Sequence, residues 1–226
     1  MQKKINLTDK PTHAMVMELL GAGKVNDAKQ RAQLLVDQAP LDCEAQYVLG
    51  MSLLMDEDFE LAVMWLSKAF EQRSDDAVFA SNLGVACLRS GDLDKAIEFL
   101  EKAVALKSDY EQARYNLGSA YIDNKQAELA EKQFRYLSIN HKKNADYVCA
   151  LADAVRESGK WKASIKLYNK ALSMDENLAR AHNNMGPLMR HLQKMDKAIE
   201  HCKKVIELES TNVSDRKKLR DCCVIL

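Results

Sequence analysis

Along Ala77 to Tyr110, AVFASNLGVACLRSGDLDKAIEFLEKAVALKSDY, apolar and small residues fall into two helical stripes. Ala80, Leu83, Gly84 and Cys87 recur at spacings of three and four, which puts them on one side of a 3.6-residue helix. Ser90-Gly91-Asp92 interrupts the pattern, so Gly91 is expected to end the first helix and Asp92 to cap the second. Leu93, Ala96, Ile97, Leu100, Ala103 and Val104 then share a face, leaving Asp94, Lys95, Glu98, Glu101 and Lys102 to water. Two amphipathic helices joined by so short a turn must fold back antiparallel.

The same pattern recurs with a period of 34 residues. Gly50, Gly84 and Gly118 are one period apart and the next steps reach Ala152 and Gly186, while Ala28, Ala62, Ala96, Ala130, Ser164 and Ala198 keep a second register. Small residues at both marks predict a crossing in each hairpin where the backbones come close. The chain divides into a polar arm (1–8), six hairpins (9–42, 43–76, 77–110, 111–144, 145–178 and 179–212) and a terminal segment (213–226). In that last segment Leu219, Cys222, Cys223 and Leu226 predict a helix capping the final repeat. In the fourth copy, Leu117-Gly118-x-x-Tyr121 and Ala130-x-x-x-Phe134 resemble the signature of the tetratricopeptide repeat (TPR) family. Arg114 stands where that signature has Trp, and only Pro40 keeps its closing proline. The resemblance covers residues 9–212. It implies an all-α, right-handed superhelical solenoid of six helix-turn-helix repeats, counted as one domain.

Composition narrows the function classes. Thirty-three basic residues balance thirty-three acidic ones, so no net field draws the chain to nucleic acid or to an anionic membrane. Six cysteines form no spaced framework and several fall at core positions, which predicts reduced thiols in a cytoplasmic protein. The opening MQKKINLTDK has neither the apolar run of a secretory signal nor that of a membrane span. No catalytic constellation and no cofactor-binding pattern is present: Gly21-Ala22-Gly23-Lys24 lacks the first glycine, the following hydroxyl and the preceding strand of a phosphate loop. His182, His191, His201 and Cys202 lie in one hairpin, yet no two histidines have the spacing that aims both at a metal from one helix. Trp65 and Trp161 are expected in the packing between hairpins. Gly186-Pro187 falls in mid-helix and predicts a kink or a late helix start.

The resemblance implies that the first helices line a concave peptide-binding groove. Stepping by the period gives Ala14, Met17, Val48, Met51 and Met55 at one end, then Asn82, Asn116 and Ser119, then Asp123, Asp146, Asp153 and Glu157, and finally Arg180, Asn184 and His191. The groove is thus expected to grade from methionine-rich to amide to acidic. Asn82, Asn116 and Asn184 match the asparagine ladder of TPR arrays such as that of O-GlcNAc transferase, which implies contact with the main chain of an extended peptide. The reading is a non-catalytic scaffold whose partner is a protein or peptide, with homo-oligomers among the open partners. One alternative is the substrate-recruiting region of a glycosyl- or sulfotransferase system. Another is a membrane-tethered adaptor, because Cys223-Val224-Ile225-Leu226 has the form of a prenylation box after Arg216, Lys217, Lys218 and Arg220.

Overall fold

In the computed structural model residues 10–208 are described, and these form twelve helices and no strand. First and second helices alternate: α1 (His13–Gly21), α2 (Val25–Gln38), α3 (Cys43–Met55), α4 (Phe59–Gln72), α5 (Ala77–Ser90), α6 (Leu93–Leu106), α7 (Glu111–Asp123), α8 (Ala127–Asn140), α9 (Ala145–Glu157), α10 (Trp161–Met174), α11 (Ala179–His191) and α12 (Met195–Leu208). Every second helix starts one 34-residue step after the last, and so does every first helix from α3 onward. The arm, the expected cap over 213–226 and Cys223 lie outside the described residues.

The turns inside the hairpins repeat as strictly as the helices. Gly23, Glu57, Gly91, Lys125, Gly159 and Gln193 all have positive φ, between 59° and 87°. After each, a backbone N–H reaches a carbonyl five residues back: Lys24 to Leu19, Asp58 to Leu53, Asp92 to Cys87, Gln126 to Tyr121, Lys160 to Val155 and Lys194 to Met189. That is the bond that closes a Schellman-type helix end. Glycine takes this conformation freely, whereas Glu57, Lys125 and Gln193 each carry about 1 kcal/mol of strain, which the tie and the packing around it outweigh. As expected, Gly91 is the left-handed C-cap of α5, and Asp92 caps α6 by accepting the Lys95 N–H.

The small residues mark the crossings. A Cβ on Gly50 would lie 2.7 Å from Leu66 Cγ, and one on Gly84 would lie 2.7 Å from Leu100 Cγ. The second-helix register, Ala28, Ala62, Ala96, Ala130, Ser164 and Ala198, is buried throughout. Contacts group the chain into two compact units divided between Ala120 and Tyr121, within α7. In the first, α3 packs on α1, α2, α4 and α5, around a core that includes Leu49, Leu66, Phe79 and Leu83. In the second, α9 packs on α8, α10 and α11, and α11 on α12, around Val148, Tyr168, Met185 and Met189.

Two local expectations are corrected. Helix α11 runs unbroken through Pro187 and starts in register. Gly186 has no Cβ to clash with the proline ring, and the carbonyl that Pro187 cannot bond belongs to exposed Asn183, within reach of water. Pro11 sits one residue before the N-cap Thr12, whose Oγ1 accepts the Met15 N–H at 3.2 Å. Trp65 packs on the first unit's core, but Trp161, the first residue of α10, is 40% exposed.

Candidate functional site: the first-helix faces

In the first unit Met17 and Met55 are 43% and 44% exposed, Val78 is exposed, and Met51 is half-buried against the core. Val48, expected beside them, is buried instead. Its register faces the seam between neighbouring first helices, since Ala150, three periods on, is also buried. Polar residues in that register are half-buried and bonded to neighbours. Asn82 on α5 donates from Nδ2 to the Tyr47 hydroxyl of α3 at 2.5 Å, while Asn116 accepts at Oδ1 from Gln112 at 3.1 Å. Tyr47 is fixed in turn by stacking on Phe79, with ring centroids 4.2 Å apart. Burial pushes the Tyr47 hydroxyl up to about 12, so it stays protonated and neutral. Beside this seam Leu54, Met55, Glu57, Val85 and Arg89 line a cleft of about 260 Å³.

The second unit departs most from expectation. Asp153, placed by its spacing on an open acidic wall, is only 5% exposed. Its Oδ1 accepts from the Tyr168 hydroxyl at 2.5 Å and from Asn184 Nδ2 at 2.6 Å, and its Oδ2 pairs with Arg180 at 2.5 Å. The carboxylate therefore ties α9 to α10 and α11 and cannot meet a ligand in the open. Burial, then the Asp153 charge, pushes the Tyr168 hydroxyl far above its ordinary value, so it acts as a permanent donor. Glu157 is exposed but pairs with Arg156 at 2.7 Å, and Asp146 is exposed. What remains of the acidic wall is thus Asp123, Asp146 and a partly neutralised Glu157. Tyr47, Gln112, Arg156 and Tyr168 are the site residues that sequence reasoning passed over.

His182 and His201 face each other across α11 and α12, Nδ1 to Nδ1 at 2.9 Å. The Glu176 carbonyl lies 3.0 Å from His182 Nε2 and can only accept, so that nitrogen carries the proton in the neutral ring. His182 Nδ1 is then the acceptor and His201 Nδ1 the donor. Burial first, then the neighbouring His182, lowers the His201 pKa from 6.5. A lowered histidine contributes stability that is full above the unfolded value of 6.5 and is lost as pH falls through the window below it. The urea midpoint is accordingly expected to drop between pH 7.5 and 5, and His201→Phe should flatten that drop; an unchanged pH slope in the variant would refute it. Among the described residues no group of three or more His, Cys, Asp or Glu side chains could hold a metal ion. No described helix is long and apolar enough to cross a membrane.

Comparison with known proteins bears on this geometry. Family models described as tetratricopeptide repeat match residues 41–109, 87–153 and 179–212, and one described as TPR repeat matches 152–189. No curated protein matches the chain. Among solved structures, MamA (41-end) from Desulfovibrio magneticus RS-1 is 21% identical with a TM-score of 0.68, over 76% of this chain and 97% of that one. Pseudomonas aeruginosa PilF gives 16% and 0.71, over 92% and 95% of the two chains. YrrB, described as a TPR protein with an unusual peptide-binding site, gives 17% and 0.64, over 86% and 98%. At such identities these likenesses show the fold. With the six-fold register of helices and turns, and family models that together span residues 41–212, the chain belongs to the tetratricopeptide repeat family.

Proposed function

We propose that the chain is a non-catalytic scaffold whose first-helix faces bind an extended segment of a partner protein. The observation that carries this reading is the state of three amides in one register. Asn82 and Asn184 spend Nδ2 on Tyr47 and Asp153, and Asn116 spends Oδ1 on Gln112. Asn82 and Asn184 are thereby held with Oδ1 as the acceptor for a ligand, and Asn116 with Nδ2 as the donor. An extended main chain carries both complements. Met17, Met51 and Met55 add an adaptable apolar anchor, and Glu157 a charge at the rim. Asp153 positions Asn184 and does not touch the ligand. The peptide-binding site named for YrrB supports the same use of the fold.

The test is kinetic, on a partner recovered by pull-down and identified by mass spectrometry. Trimming Met51 and Met55 to Ala removes apolar contact worth about 25 cal/mol per Å², and should mainly raise the off-rate. Glu157→Gln, at an exposed site screened by salt, should mainly slow association and reduce its salt dependence. Asn116→Ala should weaken ligands of different side-chain sequence alike. If none of the three changes either rate, the ligand does not use the first-helix faces.

A further inference from the structure

Two clefts in the molecule occupy the same register three periods apart. The cleft in the first unit lies among Leu54, Met55, Glu57, Val85 and Arg89, with the Arg89 guanidinium 5.2 Å from the Phe59 ring centroid. In the second unit Arg156, Trp161, Asn184, Pro187, Leu188 and His191 line a cleft of about 200 Å³. Residues 156, 161, 187 and 191 are each 102 positions after 54, 59, 85 and 89, so the opening is built by the repeat and not by an accident of one surface. Its chemistry has changed between copies. Leu54 and Val85 become Arg156 and Pro187, Phe59 becomes Trp161, and Arg89 becomes His191.

In the second cleft the Trp161 and His191 rings meet edge to face, with centroids 4.0 Å apart. Trp161 retains substantial exposure at the very start of α10, where ordinary burial does not account for it. Arg156 lines the same cleft, half-buried; its guanidinium is paired with Glu157 at 2.7 Å and bonded to Tyr168, and only its Nε has no hydrogen-bond partner. A tryptophan, an imidazole and a proline ring present flat surfaces together, beside a guanidinium whose charge the Glu157 carboxylate partly offsets. The complement to such a wall is a π face, which carries negative charge at its centre. The volume suits one large side chain and excludes a helix.

We propose that this cleft is a subsite for a single aromatic side chain of the bound segment. The assignment rests on the peptide-binding reading for its ligand, and Asn184 joins the two because its amide lies in the cleft wall.

The probes are N-acetyl-phenylalaninamide and N-acetyl-leucinamide, titrated at millimolar concentration into the full chain. The Trp161 indole N–H resonance, assigned with Trp65→Phe, should move saturably with the phenylalanine probe, and that probe should bind about threefold or more tighter than the leucine one. Saturation transfer to each probe then reads the variants: Trp161→Leu and His191→Ala, each folded by circular dichroism, should erase the aromatic preference, whereas Ile139→Ala, at an exposed position of α8 outside both clefts, should leave it intact. Equal binding of the two probes, no shift with either, or a preference that survives Trp161→Leu would each overturn the assignment. The outcome is separable from that of the peptide-binding reading: a failed titration alongside altered rates in Asn116→Ala removes the subsite alone, and the converse removes the ligand-bearing faces.

Discussion

Asp153→Ala is expected to cost about 3–5 kcal/mol of stability, as loss of one partner from a buried charged network does. The alanine removes the acceptor for three donors at once: the Tyr168 hydroxyl, the Asn184 amide and the Arg180 guanidinium. Tyr168 is fully buried and cannot turn to water, so its hydroxyl keeps the bond to Arg156 but loses the acceptor for its proton. Arg180 is partly exposed and can recover some hydration, which sets the loss at the lower end for the ion pair alone. Asp153→Asn keeps the shape and one acceptor oxygen, and should lose clearly less than the alanine variant. Urea unfolding of both variants gives the comparison. A loss under about 1 kcal/mol for Asp153→Ala would mean that the network does not hold the fifth and sixth repeats together. Binding adds a second readout, because freeing Asn184 should make Asp153→Ala and Asn184→Ala non-additive in partner affinity.

The second large effect is steric. Gly84→Leu should cost about 1–3 kcal/mol through overpacking, and Ala96→Leu, on the facing side of the same crossing, a similar amount. Alanine at 84 is the sharper test, since in an open helix Gly→Ala gains about 1 kcal/mol. Here its Cβ would come within 2.7 Å of Leu100 Cγ and 3.2 Å of the Ala96 carbonyl oxygen, and Leu100 is fully buried, with no room to withdraw. Gly84→Ala is therefore expected to lower the melting temperature despite the better helix former. Gly21, whose added Cβ would meet nothing within 4 Å, is the control that should tolerate the same change. Unchanged melting temperatures in both Gly84→Ala and Ala96→Leu would refute the crossing.

The repeat was legible because it is local and written six times. Spacings of three and four, a glycine at the turn and an aspartate after it fix α5 and α6, and the period carries them to the rest of the chain. The turn itself was read only where a glycine marks it. At Glu57, Lys125 and Gln193 the same left-handed backbone is imposed by the bond that closes each helix, such as Asp58 N–H to Leu53, and no side chain announces it.

The faces were legible only in part. A helical wheel weighs one helix against its own hairpin partner, but a first helix here also packs on neighbouring first helices, α3 against α1 and α5, α9 against α11. That third contact buries Val48 and Ala150 and turns Asn82 and Asn184 inward by one bond each. The same contact explains Asp153. Its partners Tyr168, Arg180 and Asn184 are 15, 27 and 31 residues away, spacings that bear no relation to helical periodicity and are met only when three helices have packed.

By itself, then, the sequence determined twelve helices, their pairing and the small residues at each crossing, since these follow from periodicity and backbone volume. The tertiary structure alone decided which carboxylate is buried and which amide atoms remain for a ligand, and it left Trp161 at a cleft instead of in the core. A side chain's charge and hydrogen-bonding capacity are local, but whether water or another helix receives them depends on packing between segments distant in the chain.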